Sequence, residues 1–167
     1  MRGNKIIRRI LADTLDFLLK NTYRYWPLPF DLRIEELKQL NEHIRVIVCG
    51  ACGKMGTATS KAVSSADDMK LVAVVDMAST GKLYSEVTGV SGADMPISES
   101  LEVAIAELGP VVVIDFTAPM SVMGNARTVL SKGVAMVIGT TGITPENLQE
   151  IEDLAKANNT TAMVIPN

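Results

Sequence analysis

Hydrophobic positions change their spacing near residue 44, and the change divides the chain in two. Before it, Ile6, Ile7, Ile10, Leu11, Leu15, Leu18 and Leu19 recur at helical intervals, with Arg8, Arg9, Asp13 and Asp16 largely off that face. Lys5 to Lys20 therefore reads as an amphipathic helix, which needs a partner for its apolar face. Tyr-Trp-Pro-Leu-Pro breaks the pattern, and a second helix follows from about Asp31 to Glu42, with Asp31 as cap and Ile34, Leu37 and Leu40 inward.

From Ile44 onward, short apolar runs alternate with helix-compatible stretches. Strands are predicted at Ile44 to Cys49, Lys70 to Asp76, Val111 to Phe116, Ala135 to Ile138 and Thr161 to Ile165. They are apolar on both faces, as expected of a parallel sheet covered by helices on each side. Helices are predicted at Lys54 to Ser65, Leu101 to Leu108 with Gly109-Pro110 as its end, and Ser121 to Lys132 with Gly133 as its stop. A last helix starts at Thr144-Pro145-Glu146, threonine capping and proline at the first helical position, and runs to about Asn158. Met77 to Ser100 has no clear period and is read as a long surface loop with one short turn of structure. The expected fold is α/β, a Rossmann-like doubly wound parallel sheet over residues 44–167, preceded by a two-helix extension over residues 1–43.

Composition sharpens the boundary. Five of the seven aromatic residues lie before residue 44, and residues 1–45 hold nine Lys or Arg against six acids, leaving seven bases and thirteen acids for the rest. A formal net charge of -3 gives no general attraction to nucleic acid or to an acidic membrane. Asp13 and Asp16 interrupt what would be a signal peptide's apolar core, and no apolar run reaches membrane-spanning length, so a cytoplasmic location is expected. The N-terminal helices are expected to pack on this domain or on another subunit, making a homo-oligomer the expected assembly.

The candidate chemistry begins at Gly50-Ala51-Cys52-Gly53-Lys54-Met55-Gly56, a glycine turn between the first strand and its helix. Such a turn can bring a pyrophosphate against main-chain N–H groups at a helix start, or it can be a plain strand-to-helix turn. Its spacing is one residue longer than the Gly-x-Gly-x-x-Gly fingerprint. Asp76 stands twenty residues beyond Gly56, where dinucleotide-binding folds place an acid for the ribose hydroxyls, although a turn-forming aspartate would look the same. Cys49 and Cys52 form Cys-x-x-Cys, which leaves a redox reading open if Cys52, near a helix start, has a lowered pKa. With two cysteines and the single histidine His43, no metal site is expected.

Taken in order, Gly50 to Gly56, Asp115-Phe116-Thr117 with Pro119, Gly139-Thr140-Thr141-Gly142 and Ile165-Pro166-Asn167 closely resemble the 4-hydroxy-tetrahydrodipicolinate reductase (dihydrodipicolinate reductase) family. The resemblance covers about Ile44 to Asn167. It implies an NAD(P)H-dependent oxidoreductase of lysine biosynthesis through diaminopimelate, which reduces a cyclic unsaturated dicarboxylate by hydride transfer. It further implies that Gly50, Ala51, Cys52, Gly53, Lys54, Met55 and Gly56 hold the pyrophosphate and Asp76 the adenosine ribose. Phe116 and Thr117 would line the nicotinamide, Gly139, Thr140 and Thr141 its far end with Thr141 reaching the substrate, and Ile165, Pro166 and Asn167 a further cofactor turn.

The family's substrate domain, with its paired histidines and lysine, finds no counterpart in the sequence, so no catalytic residue is assigned. The expectation is the cofactor half of the reductase, binding NADH, with NADPH possible, and turning over no dicarboxylate without the second domain. A stand-alone nucleotide-sensing or assembly module is the alternative.

Overall fold

In the computed structural model, the residues described are 43–110 and 112–165; the two predicted N-terminal helices lie outside them. Among these residues five strands and five helices follow in the order β1 (Ile44–Cys49), α1 (Lys54–Ser64), β2 (Met69–Val75), α2 (Tyr84–Thr88), α3 (Leu101–Leu108), β3 (Val112–Asp115), α4 (Pro119–Ser131), β4 (Ala135–Ile138), α5 (Pro145–Ala157) and β5 (Ala162–Val164). The sheet order is β2-β1-β3-β4-β5, with every neighbouring pair parallel.

Strand alternation sorts the side chains into two cores. Val46, Val48 and Ile114 face a cluster with Val63 of α1, Tyr84 of α2 and Ile97. Ile47, Cys49 and Val113 face the other, against Ile105, Leu130 and Ile151 from α3, α4 and α5. A period of two is what puts consecutive residues on opposite faces, and helices on each side bury both. A bulge in the β1–β2 pairing between Val46 and Ile47 shifts the register by one residue there.

Helix starts follow their local chemistry. Thr144 and Asn147 close a reciprocal capping box on α5 with Pro145 at its first turn, and the Ser100 side chain accepts from Val103 N–H at the start of α3. The helix predicted from Ser121 starts two residues earlier, at Pro119, because proline's missing N–H costs nothing in the first turn.

The segment predicted as a surface loop, 77–100, differs most. Its one short turn of structure is present as α2, but the segment is not confined to the surface, since Tyr84, Val90, Ala93 and Ile97 are buried in it. Bridges Val75↔Ser98 and Leu83↔Pro96, with bonds such as Tyr84 N–H to the Met95 carbonyl and Ile97 N–H to the Lys82 carbonyl, pair part of its backbone where it packs inward. No helix among the described residues is long and apolar enough to cross a membrane.

Candidate dinucleotide site

All five strands point their carboxyl ends at one edge, and the chain reverses its direction of winding between β1 and β3. Open parallel sheets form a ligand crevice at such a switch point. The loops that follow β1 and β3 meet there at close range. Gly50 has φ +67°, and a Cβ on it would lie 2.6 Å from the Phe116 carbonyl oxygen. Phe116 N–H in turn donates to the Cys49 carbonyl at 3.0 Å.

Gly56, inside α1, completes the turn. A Cβ there would sit 2.1 Å from the Gly50 carbonyl oxygen, so the helix approaches the turn as closely as only glycine permits. Gly53 is the cap residue of α1 and brings no side-chain acceptor, and no acid stands in the first turn. Lys54, Met55 and Gly56 therefore present helix-start N–H groups at the positive end of the helix dipole.

The peptide unit joining Ala51 to Cys52 is held at both ends. Its carbonyl accepts from the Tyr84 hydroxyl at 2.7 Å and from Thr57 Oγ1 at 3.1 Å, while its N–H donates to Asp76 Oδ2 at 2.9 Å. Asp76 Oδ1 accepts from Ala78 N–H at 2.9 Å. Ala51 is fully buried with its carbonyl turned inward, so it supports the loop, whereas Lys54 and Met55 are exposed.

A second cluster joins the loops after β3 and β4. Asp115 is fully buried, and its Oδ1 accepts from Thr117 N–H at 2.9 Å and Thr117 Oγ1 at 2.7 Å. Thr140 Oγ1 lies 3.0 Å from both Asp115 Oδ1 and the Thr117 carbonyl oxygen, sharing its one proton between them. Asn125 Nδ2 donates to Asp115 Oδ2 at 2.7 Å. The Phe116 ring lies where a Cβ on Gly139 would be, with Cε1 at 2.2 Å, so glycine at 139 is what lets the ring cross to the next loop.

Thr140, Thr141, Gly142, Ile143, Leu148, Val164 and Ile165 line a cavity of about 220 Å³ beyond the ends of β4 and β5. Thr140 thus belongs both to the Asp115 cluster and to this cavity. Pro166 and Asn167 lie outside the described residues.

Three supporting residues escape the sequence reading: Tyr84, Thr57 and Asn125. Asn125 carries a signal, since it stands on the inward stripe formed by Val122, Ala126 and Val129, where a polar side chain needs a partner. The cysteines move away from redox chemistry. Burial pushes the Cys49 thiol well up, helped by Asp115 and Asp76, and burial followed by Asp76 raises Cys52 as well. A low-pKa thiolate, which the redox reading requires, is the opposite of this.

Residues 44–167 match the family described as "Dihydrodipicolinate reductase, N-terminus". The chain belongs to the dihydrodipicolinate reductase family. A curated 4-hydroxy-tetrahydrodipicolinate reductase from Syntrophomonas wolfei is 38% identical over 128 residues, which are 77% of this chain and 48% of that protein. The dipicolinate-bound dihydrodipicolinate reductase from Paenisporosarcina sp. TG-14 superposes with a TM-score of 0.63 at 38% identity, over 75% of this chain and 48% of that one. An NAD-binding protein from Listeria innocua gives 0.60 at 26% identity, over 74% and 35%. The chain spans about half the length of the curated dihydrodipicolinate reductases it matches, and the glycine turn, the Asp115 cluster and the cavity all fall within the span matched to the family's N-terminus.

Proposed function

We propose that residues 44–167 bind a nicotinamide dinucleotide and present it for hydride transfer to a cyclic dicarboxylate in lysine biosynthesis. The observation that carries this is the closure of the β1–α1 turn. Side chains are excluded at Gly50 and Gly56 by backbone atoms, and the first turn of α1 contains no acidic residue of its own. That is a cradle for an anion able to approach the main chain, and a pyrophosphate fits it. The dinucleotide, when bound, supplies the hydride.

On this reading the N–H groups of Lys54, Met55 and Gly56 hold the pyrophosphate, and Asp76 accepts from the adenosine ribose. Phe116 and Thr117, fixed by Asp115, line the nicotinamide, and Thr141 reaches the substrate from the cavity beside Ile165. The listerial relative's description as an NAD-binding protein supports the cofactor class. The loops after β1, β3 and β4 carry no cationic side chain, with Lys54 at the start of α1 the one cation beside them, so the charge that balances a dicarboxylate comes from elsewhere in the working enzyme.

NADH is expected to bind more tightly than NADPH. Asp76 is fixed by two backbone N–H groups and cannot swing away from a 2′-phosphate, and Met77 follows where an arginine would receive one. Titration of the full chain with each cofactor measures the difference. NADPH binding tenfold tighter, about 1.4 kcal/mol, would refute the assignment of Asp76 to the ribose.

A further inference from the structure

Ala51 C=O and Cys52 N–H are the two ends of one planar group, so whatever orients one orients the other. Tyr84 and Thr57 hold the carbonyl end, and Asp76 takes the N–H end. The three side chains come from α2, α1 and the end of β2, and they meet at this peptide.

We propose that Tyr84 is a positioning residue for cofactor selection: by fixing the Ala51–Cys52 peptide plane it holds the Asp76 carboxylate in the orientation that receives a ribose diol. The inference rests on the dinucleotide reading above and adds a specificity role for a residue that lies beneath the binding edge.

Tyr84 is suited to this work. It is fully buried, its ring packs with Val63 and Ile97, and its backbone N–H is tied to the Met95 carbonyl at 2.9 Å, so the hydroxyl has little freedom. Burial also pushes the phenol's pKa up, against the lowering effect of hydrogen bonds from neighbouring hydroxyls, so it remains a donor at neutral pH. Without the hydroxyl, the buried carbonyl keeps only the longer bond from Thr57, and the peptide can rotate. Asp76 Oδ2 then loses a fixed donor and is held only through Ala78 N–H. The carboxylate becomes free to turn, which weakens a bidentate grip on the 2′- and 3′-hydroxyls and relieves repulsion of a 2′-phosphate.

The test is titration of the full chain and of Tyr84→Phe with NADH and with NADPH at a temperature where circular dichroism shows both folded. Tyr84→Phe is expected to weaken NADH about fivefold and to leave NADPH within about twofold, moving the Kd ratio toward NADPH. A merely structural role would weaken both equally, so an unchanged ratio overturns the proposal even if both affinities fall. Thr57→Val, which removes the second donor to the same carbonyl, should shift the ratio in the same direction by a smaller factor, and Thr57→Ser should restore it. This pair decides the question should Tyr84→Phe fail to fold, and an unchanged ratio in Thr57→Val then counts against the proposal. A wild-type chain that binds neither cofactor overturns the dinucleotide reading itself, an outcome distinct from wild-type binding with an unmoved ratio.

Discussion

Gly56→Ala is expected to abolish dinucleotide binding, raising Kd by at least about 100-fold, or about 2.8 kcal/mol. Two effects oppose each other at this position. Alanine in place of a helical glycine gains about 1 kcal/mol of intrinsic helix preference. The added Cβ, however, would lie 2.1 Å from the Gly50 carbonyl oxygen and 2.7 Å from the Ala51 Cα, and neither is the movable end of a side chain. Overpacking of this kind costs about 1–3 kcal/mol and is relieved only by moving backbone. Sterics win, and the turn must open away from α1. The displaced segment carries Gly50, Ala51 and Cys52, so the cradle and the peptide gripped by Tyr84, Thr57 and Asp76 are lost together. Calorimetric titration with NADH, alongside a thermal melt, separates the two consequences. A variant that binds as tightly as the parent would show that the first turn of α1 is not where the pyrophosphate sits.

Asp115→Asn should destabilise residues 44–167 by about 3 kcal/mol, a fall in Tm on the order of 10 °C, and weaken cofactor binding with it. The substitution preserves size and shape, which makes the expected loss instructive. Every hydrogen bond at Asp115 is accepted: three donors converge on Oδ1 and the Asn125 amide points at Oδ2. An asparagine keeps one acceptor and brings one NH2 group: turned toward the Oδ1 set, the NH2 opposes Thr117 N–H, which can only donate, and turned toward Asn125 it needs that amide to flip and present its oxygen, all in a fully buried site. The first orientation breaks the bond that fixes the Phe116–Thr117 turn, and the second replaces charge-assisted hydrogen bonds with weaker neutral ones. Asn125→Asp, tested in the Asp115→Asn background, offers an acceptor to the new amide and should recover part of the stability. A melt unchanged by Asp115→Asn would mean that the cluster does not hold these loops.

The sheet was legible because each strand is a short apolar run, and a parallel strand buried on both faces must be one. β1, α3 and β4 stand where the pattern puts them, and the cap of α5 is written in Thr144-Pro145. Segment 77–100 was not legible. Its helix is five residues long, and of its buried residues Tyr84, Val90, Ala93 and Ile97 the last three are spaced as on a helix yet lie outside it, since their burial is set by the loop's path across α1 and β2. The supports of the site were hidden for a related reason. Tyr84 reaches Ala51 across 33 positions, and Asp115 reaches Thr140 across 25, so the partners are defined only once β1, β3 and β4 lie side by side. Motif spacing identifies the residues that can face a ligand, and the ones that hold them in place are set by tertiary contact.

The most direct test of a dinucleotide bound along the carboxyl edge is an NMR titration of the 15N-labelled full chain with NADH. The account predicts that the largest amide shifts fall at Lys54 to Gly56, at Asp76 and Met77, and at Phe116, Thr117 and Gly139 to Thr141. Shifts confined to the opposite ends of the strands, near Ile44, Met69 and Ala135, or none at all at saturating NADH, would contradict it.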